Sequence, residues 1–166
     1  EEPEQPAGPQ VVTVAEFLAA EVDDNVFYRL QGTITSVANT EYGNFDLTDD
    51  TGTVYIYGLC SEDGTTNKYW STSGAKLGDD IVIRTIRADF NGPQGKNAWF
   101  VELASPGTYA FYTVDPAAVN FASVGGEQDI EVSAYNTTAA VTATSDNDAF
   151  AVAVNGYVVT VTAAAN

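Results

Sequence analysis

The stretch Asn44–Gly58 reads NFDLTDDTGTVYIYG, and its alternation decides the fold class. Phe45 and Leu47 fall on one side of an extended chain, while Asn44, Asp46 and Thr48 fall on the other. Asp49-Asp50-Thr51-Gly52 then turns the chain, and on the return Val54 and Ile56 oppose Tyr55 and Tyr57. Period-two alternation around a Gly-containing turn predicts a β-hairpin. One face carries aliphatic core residues. The other sets two tyrosines beside amide and carboxylate groups, which makes it a candidate binding surface.

Working outward, β signals dominate. Val26–Val37 predicts one long strand, with Gly32 allowing a bend or bulge. Asp80–Ala88 and Ala98–Leu103 predict two more, separated by a flexible loop over Asp89–Asn97. Thr13 and Glu16 form a capping box that opens a short helix, with Phe17 and Leu18 available to the core. Ser61–Gly78 lacks a period and reads as loop, with one helical turn around Lys68–Ser71. The fold class is all-β, and five strands in this order suit a small closed Greek-key barrel. Gly32-Thr33-Ile34, Leu47-Thr48-Asp49 with Gly52–Gly58, and Leu77-Gly78-Asp79-Asp80-Ile81-Val82-Ile83 resemble the first strand, central hairpin and fourth-strand entry of OB-fold domains. The resemblance covers residues 11–104.

Two flanking stretches complete the organisation. Residues 1–10, EEPEQPAGPQ, read as a disordered, solvated Pro/Glu tether of the kind that follows a lipidated Cys in surface lipoproteins. Residues 105–112 read as a linker opened by Ser105-Pro106-Gly107, with Tyr109–Val114 as a joining strand. Beyond it, Phe150, Val152 and Val154 alternate up to Asn155-Gly156, a dipeptide that favours a type I′ turn, and Val159 and Val161 return. Several short strands at this spacing predict a β-sandwich. Val114-Asp115-Pro116, Asn120-Phe121, Val124-Gly125-Gly126-Glu127, Ile130-Glu131-Val132 and Val159–Asn166 resemble the BACON family, immunoglobulin-like domains of Bacteroidetes-type secreted and surface proteins. The resemblance covers residues 113–166 and implies a small immunoglobulin-like β-sandwich there; where the family usually has a Trp, this chain departs from it and reads AAVTATS, with Val141 near that place. The family pattern runs on past Asn166 into a final strand, so two expectations stand: the sandwich is truncated, which is the favoured one, or a partner segment completes its sheet by strand addition.

Composition narrows the function. Six Lys and Arg against 23 Asp and Glu give a net charge of −17, and residues 117–166 contain no base. Such a field repels phosphate backbones and anionic membranes at long range, so nucleic acid is a poor partner. The hydrophobic fraction of 45% is sufficient for a core. Cys60 is the only cysteine and there is no His, so Cys60 reads as a buried hydrophobe rather than a nucleophile. Asp23-Asp24-Asn25, Asp49-Asp50 and Asp146-Asn147-Asp148 read as turns, because none has the ligand spacing of a calcium loop.

The candidate ligand-binding residues are Tyr42, Asn44, Asp46, Tyr55, Tyr57, Phe90 and Asn91. The resemblance to OB folds implies this placement, on the second and third strands and the loops beside them. Rings beside amides and carboxylates suit stacking on sugar faces with hydrogen bonds to hydroxyls. Trp99 alternates with Val101 and Leu103 and reads as barrel interior, and Trp70 reads as core in the loop that plugs a barrel end. Arg84 and Arg87 read as partners of neighbouring acids. The sequence reading is an exported, non-enzymatic accessory protein at the outer-membrane surface, with no catalytic residue, cofactor or metal. Its partner would be a glycan, or alternatively a surface protein to which it docks as a structural module. Single-stranded nucleic acid ranks third.

Overall fold

The computed structural model describes residues 9–165, arranged as two compact units that meet between Tyr109 and Ala110. The first unit contains β1 (Gln10–Val11), α1 (Val14–Ala19), β2 (Phe27–Asn39), β3 (Asn44–Asp49), β4 (Gly52–Cys60), α2 (Trp70–Ser73), β5 (Asp80–Asp89) and β6 (Pro93–Ala104). Its strands run in the order β2-β3-β4-β6-β5, and β5 pairs back onto β2, so five strands close into a barrel. All contacts in the ring are antiparallel except β4–β6, which is parallel. β1 lies parallel to β2 outside the ring.

Closure requires β2 to serve two neighbours. Phe27–Thr33 registers with Asp80–Ile86 of β5, and Thr33–Asn39 registers with β3, so Thr33 has partners on both sides, Asp80 and Thr48. The bend expected at Gly32 is thus the point where β2 exchanges partners. A Cβ on Gly32 would lie 2.5 Å from the Thr48 carbonyl oxygen and 2.7 Å from a Leu47 methyl. Only a residue without one lets β3 approach this closely. Beside it, the buried Thr33 hydroxyl donates to Asp80, which also accepts from the Thr108 N–H at 3.0 Å and the Thr108 hydroxyl at 2.8 Å. The Tyr109 N–H returns to the Thr33 oxygen at 3.0 Å. Within the stretch read as linker, Thr108 and Tyr109 are therefore held on the barrel, and Phe111 opens the next strand.

The alternation read in the hairpin is what fills the interior. Phe45, Leu47, Val54 and Ile56 are fully buried with Leu30, Ile34, Leu59, Ile81, Ile83 and Ala98. Each large aliphatic or aromatic side chain among them contributes about 1.5–3 kcal/mol by leaving water. Trp70 of α2 joins this core, 5.5 Å from the Phe45 ring. The capping box is present: the Thr13 side chain accepts from the Glu16 N–H, and Glu16 accepts from the Thr13 N–H. Val14 and Phe17 are buried against the barrel. The β3–β4 turn finishes the cap, since the Val14 N–H donates to the Asp49 carboxylate at 2.8 Å and the Ala15 N–H to the Thr51 hydroxyl at 3.0 Å.

Trp99 corrects the sequence reading. It lies half-buried on the outer surface with its ring 5.1 Å from that of Phe27, while Ala98, Phe100 and Leu103 face the core. Two irregularities break simple alternation along β6. Asn97 (φ 52°) sits in the parallel ladder beside Gly58 (φ 82°), so both strands change face together between the pairs Tyr57–Lys96 and Leu59–Ala98. A second bulge at Val101 shifts register between Phe100 and Glu102. The Arg expectation divides. Arg87 pairs with Asp89 at 3.6 Å, whereas Arg84 makes no ion pair among the described residues and rests near the Trp99 and Phe27 rings, at 5.1 and 5.7 Å.

The second unit holds β7 (Phe111–Asp115), β8 (Gly126–Tyr135), β9 (Phe150–Asn155) and β10 (Val158–Ala163), a four-stranded antiparallel sheet in the order β7-β8-β10-β9. Register sets Val114, Val132, Ile130, Val159 and Val154 on one face. The other carries Asp129 and Glu127, which accept from Thr160 at 2.6 Å and Thr162 at 3.3 Å. The hairpin turn lies one residue later than expected. Asn155 pairs with Val158, so Gly156 (φ 62°) and Tyr157 form the loop, and only its first position has positive φ, the II′ pattern rather than I′. Of the tether read over residues 1–10, only Pro9 and Gln10 fall within the described residues, and Gln10 belongs to β1.

Two expectations follow. Gly32→Ala forces β3 outward and lowers the unfolding free energy by about 1–3 kcal/mol in urea titrations. Gly52→Ala, whose new methyl meets only an ordinary 3.6 Å contact, serves as its control. Asp49 links stability to pH. Burial alone would raise its carboxyl, but hydrogen bonds from the Thr51 hydroxyl and the Val14, Thr51 and Gly52 N–H groups outweigh that and hold it below its usual value. A group depressed on folding contributes stability above its unfolded pKa and loses it as the pH falls through the folded one. Tm is therefore expected to drop below about pH 4, and to drop less in Asp49→Asn than in the parent chain.

Candidate functional site

The outer face of β4 carries Tyr55 and Tyr57, because their neighbours Val54 and Ile56 are committed to the core. β6 lies beside it in parallel, with Tyr55 opposite Gln94 and Tyr57 opposite Lys96. The turn from β5 to β6 then rises over the same end. Asp89 pairs with Pro93, the Phe90 N–H donates to the Gly92 carbonyl at 3.1 Å, and Asn91 takes a left-handed φ of 57°. This geometry leaves the Phe90 ring 73% exposed beside Tyr57, itself 55% exposed.

The result is a shallow groove of about 350 Å³ lined by Tyr55, Tyr57, Phe90, Asn91 and Gln94. A second hollow of about 360 Å³ shares Tyr57, Phe90 and Gln94 and adds Asp89 and Lys96. Four of the residues read from sequence are thus brought together from two segments more than thirty positions apart. Gln94 and Lys96 escaped the sequence reading. They belong to the groove through the parallel β4–β6 pairing, and no local pattern announces which non-adjacent strands will pair.

The other three expected residues stand outside both hollows. Asn44 is structural: its side-chain oxygen accepts from the Gly58 N–H at 2.9 Å and so holds the bulge in β4. Asp46 lies opposite Tyr55 in the β3–β4 ladder and opposite Ser36 in β2–β3. Burial raises its carboxyl, and a hydrogen bond with Ser36 partly opposes the shift. Tyr42 belongs to the β2–β3 turn, where the Lys68 ammonium sits 4.4 Å from its ring centre and pairs with Glu41. The cation rests over one face of the ring, and Tyr42 remains 47% exposed.

Chemically, the groove offers ring faces, two phenolic hydroxyls and two primary amides that both donate and accept. Lys96 adds a cation and Asp89 an anion at its edge. Cys60 lies elsewhere, buried, with its thiol 3.2 Å from the Asn67 side-chain oxygen and its pKa pushed up by burial. Two of the Asp/Asn clusters make turn hydrogen bonds: Asp23 accepts from the Asn25 N–H at 2.8 Å and the Asn147 amide oxygen from the Ala149 N–H at 2.9 Å. Neither a family model nor a curated protein matches the chain.

Stability measurements separate the two kinds of residue. Asn44→Ala leaves the Gly58 N–H without its acceptor and is expected to cost about 1–2 kcal/mol. Tyr57→Ala, at an exposed position, is expected to change stability by less than about 0.5 kcal/mol. Urea unfolding of the two variants beside the parent chain checks both.

Proposed function

We propose that the first unit is an OB-type barrel that binds carbohydrate non-enzymatically through the groove of Tyr55, Tyr57, Phe90, Asn91 and Gln94. The strand order β2-β3-β4-β6-β5 with one parallel contact supports the barrel type. One observation carries the ligand class: aromatic rings from β4 and from the β5–β6 turn line one open groove together with two amides. Sugars present apolar faces edged by hydroxyls, which such rings and amides match. The net charge of −17 weighs against single-stranded nucleic acid, the other ligand that stacks on such platforms.

The second unit, in this reading, is an immunoglobulin-like BACON-type module that serves as a spacer or weak contact, and the protein acts at the surface of an exporting cell. Its amphipathic antiparallel sheet supports that reading. The competing role is docking onto a surface protein. The specific observation in its favour is that Asn44 and Asp46 do not line the groove, which leaves the exposed rings without the amide and carboxylate that the sequence set beside them.

A glycan array probed with the full chain tests the leading reading. The expected result is a set of related oligosaccharide hits that vanish in Tyr57→Ala while its unfolding curve matches the parent. An array without hits, together with retention of a surface protein that Tyr57→Ala fails to retain, would replace it with the docking role.

A further inference from the structure

The basic residues of this chain are few, yet two of them oppose each other directly. Arg29 of β2 and Arg84 of β5 are register partners on the outside of the barrel, and Arg84 is in turn the partner of Trp99 on β6. Like charges facing each other across a ladder are destabilising. With 23 acids available for six bases, each could have been given a carboxylate. The ion pairs among the described residues are Lys68–Glu41 and Arg87–Asp89, so neither Arg29 nor Arg84 has one. The Arg84 Nε is buried and has no hydrogen-bond partner. The Phe27 and Trp99 rings brace the guanidinium on its strand without supplying an acceptor.

Both arginines line a hollow of about 350 Å³, together with Pro9, Phe100, Val101 and the carboxylate-bearing Glu62. We infer that this hollow is a binding site for the carboxylate of a ligand about the size of a sugar acid, gripped between the Arg29 and Arg84 guanidinium groups. A guanidinium presents paired N–H donors in the geometry of a carboxylate, and an apolar wall suits the ring that bears it. The negative field of the whole chain does not prevent this, because charges beyond about 8 Å are screened at physiological salt while the two arginines would touch the ligand. The site rests on residues separate from the tyrosine groove and does not depend on the reading given for it.

Titration of the full ¹⁵N-labelled chain with glucuronate at constant ionic strength, with glucose as the neutral control, tests it. The expected result is a saturable shift of the Arg84 Nε–H and Trp99 indole N–H signals, with a Kd on the order of a millimolar. Glucose should not produce it. Arg29→Gln should weaken it at least tenfold, and Tyr57→Ala should leave it intact. Saturating glucuronate should raise Tm in the parent and not in Arg29→Gln. Without ligand, Arg29→Gln should keep or raise Tm, since it removes a repulsion. An equal response to glucose, no response to glucuronate, or undiminished affinity in Arg29→Gln would overturn the site. So would equal losses of Tm in Arg29→Gln and Glu62→Gln that do not add in the double variant, because Glu62 would then be the internal partner.

Discussion

Barrel closure hangs on a single exchange of partners at Gly32 and Thr33. One strand must leave β5 and join β3 within two residues, and it does so where a missing Cβ admits the Thr48 backbone. The adjacent Thr33–Asp80 contact is buried, so its polar atoms need partners, and Thr108 and Tyr109 supply them. The same few residues thus close the ring and hold the chain where it leaves the barrel. A sheet closed in this way has no exposed edge in its ring, and every inward side chain meets others from across the interior.

Closure also decides what the outside can do. Once β4 and β6 lie side by side in parallel, residues far apart in sequence share one surface. Tyr57 then meets Lys96 and Gln94, and the β5–β6 turn delivers Phe90 to the same place. The paired irregularity at Gly58 and Asn97 changes the face of both strands together, which places Leu59 and Ala98 inside and sends Trp99 out to Phe27 and Arg84. The aromatic groove and the arginine pair therefore lie on the same outer wall, on either side of this irregularity.

The second unit follows a simpler rule. Its sheet separates an apolar face from one on which acids accept hydrogen bonds from cross-strand threonines. Residues 140–143 line, together with Tyr112, Ile130 and Val159 of the apolar face, an open hollow of about 380 Å³. Val159 is buried there, while Val114 and Val154 remain exposed at 49% and 39%. Its interior is much thinner than that of the barrel, which follows from one sheet covered by a loop.

The features legible in the sequence were those set by neighbours within a few residues. The β3–β4 hairpin, the Thr13–Glu16 capping box and the inward set Phe45, Leu47, Val54 and Ile56 each depend on local period or spacing. Four of the seven expected site residues, Tyr55, Tyr57, Phe90 and Asn91, meet in one groove. Tertiary structure alone decided the rest. Alternation placed Trp99 inside because a bulge leaves little trace in sequence, and one extra residue reverses the face of all that follows. Tyr42 has Lys68, which is distant in sequence, over one face of its ring. Asn44 was taken up by a backbone N–H that only the Gly58 bulge presents. Local sequence determined which segments would be strands and which side chains could fill a core. Which strands became neighbours, and so which outward side chains form a surface, was decided by closure of the barrel, a condition on the whole chain that no single stretch contains.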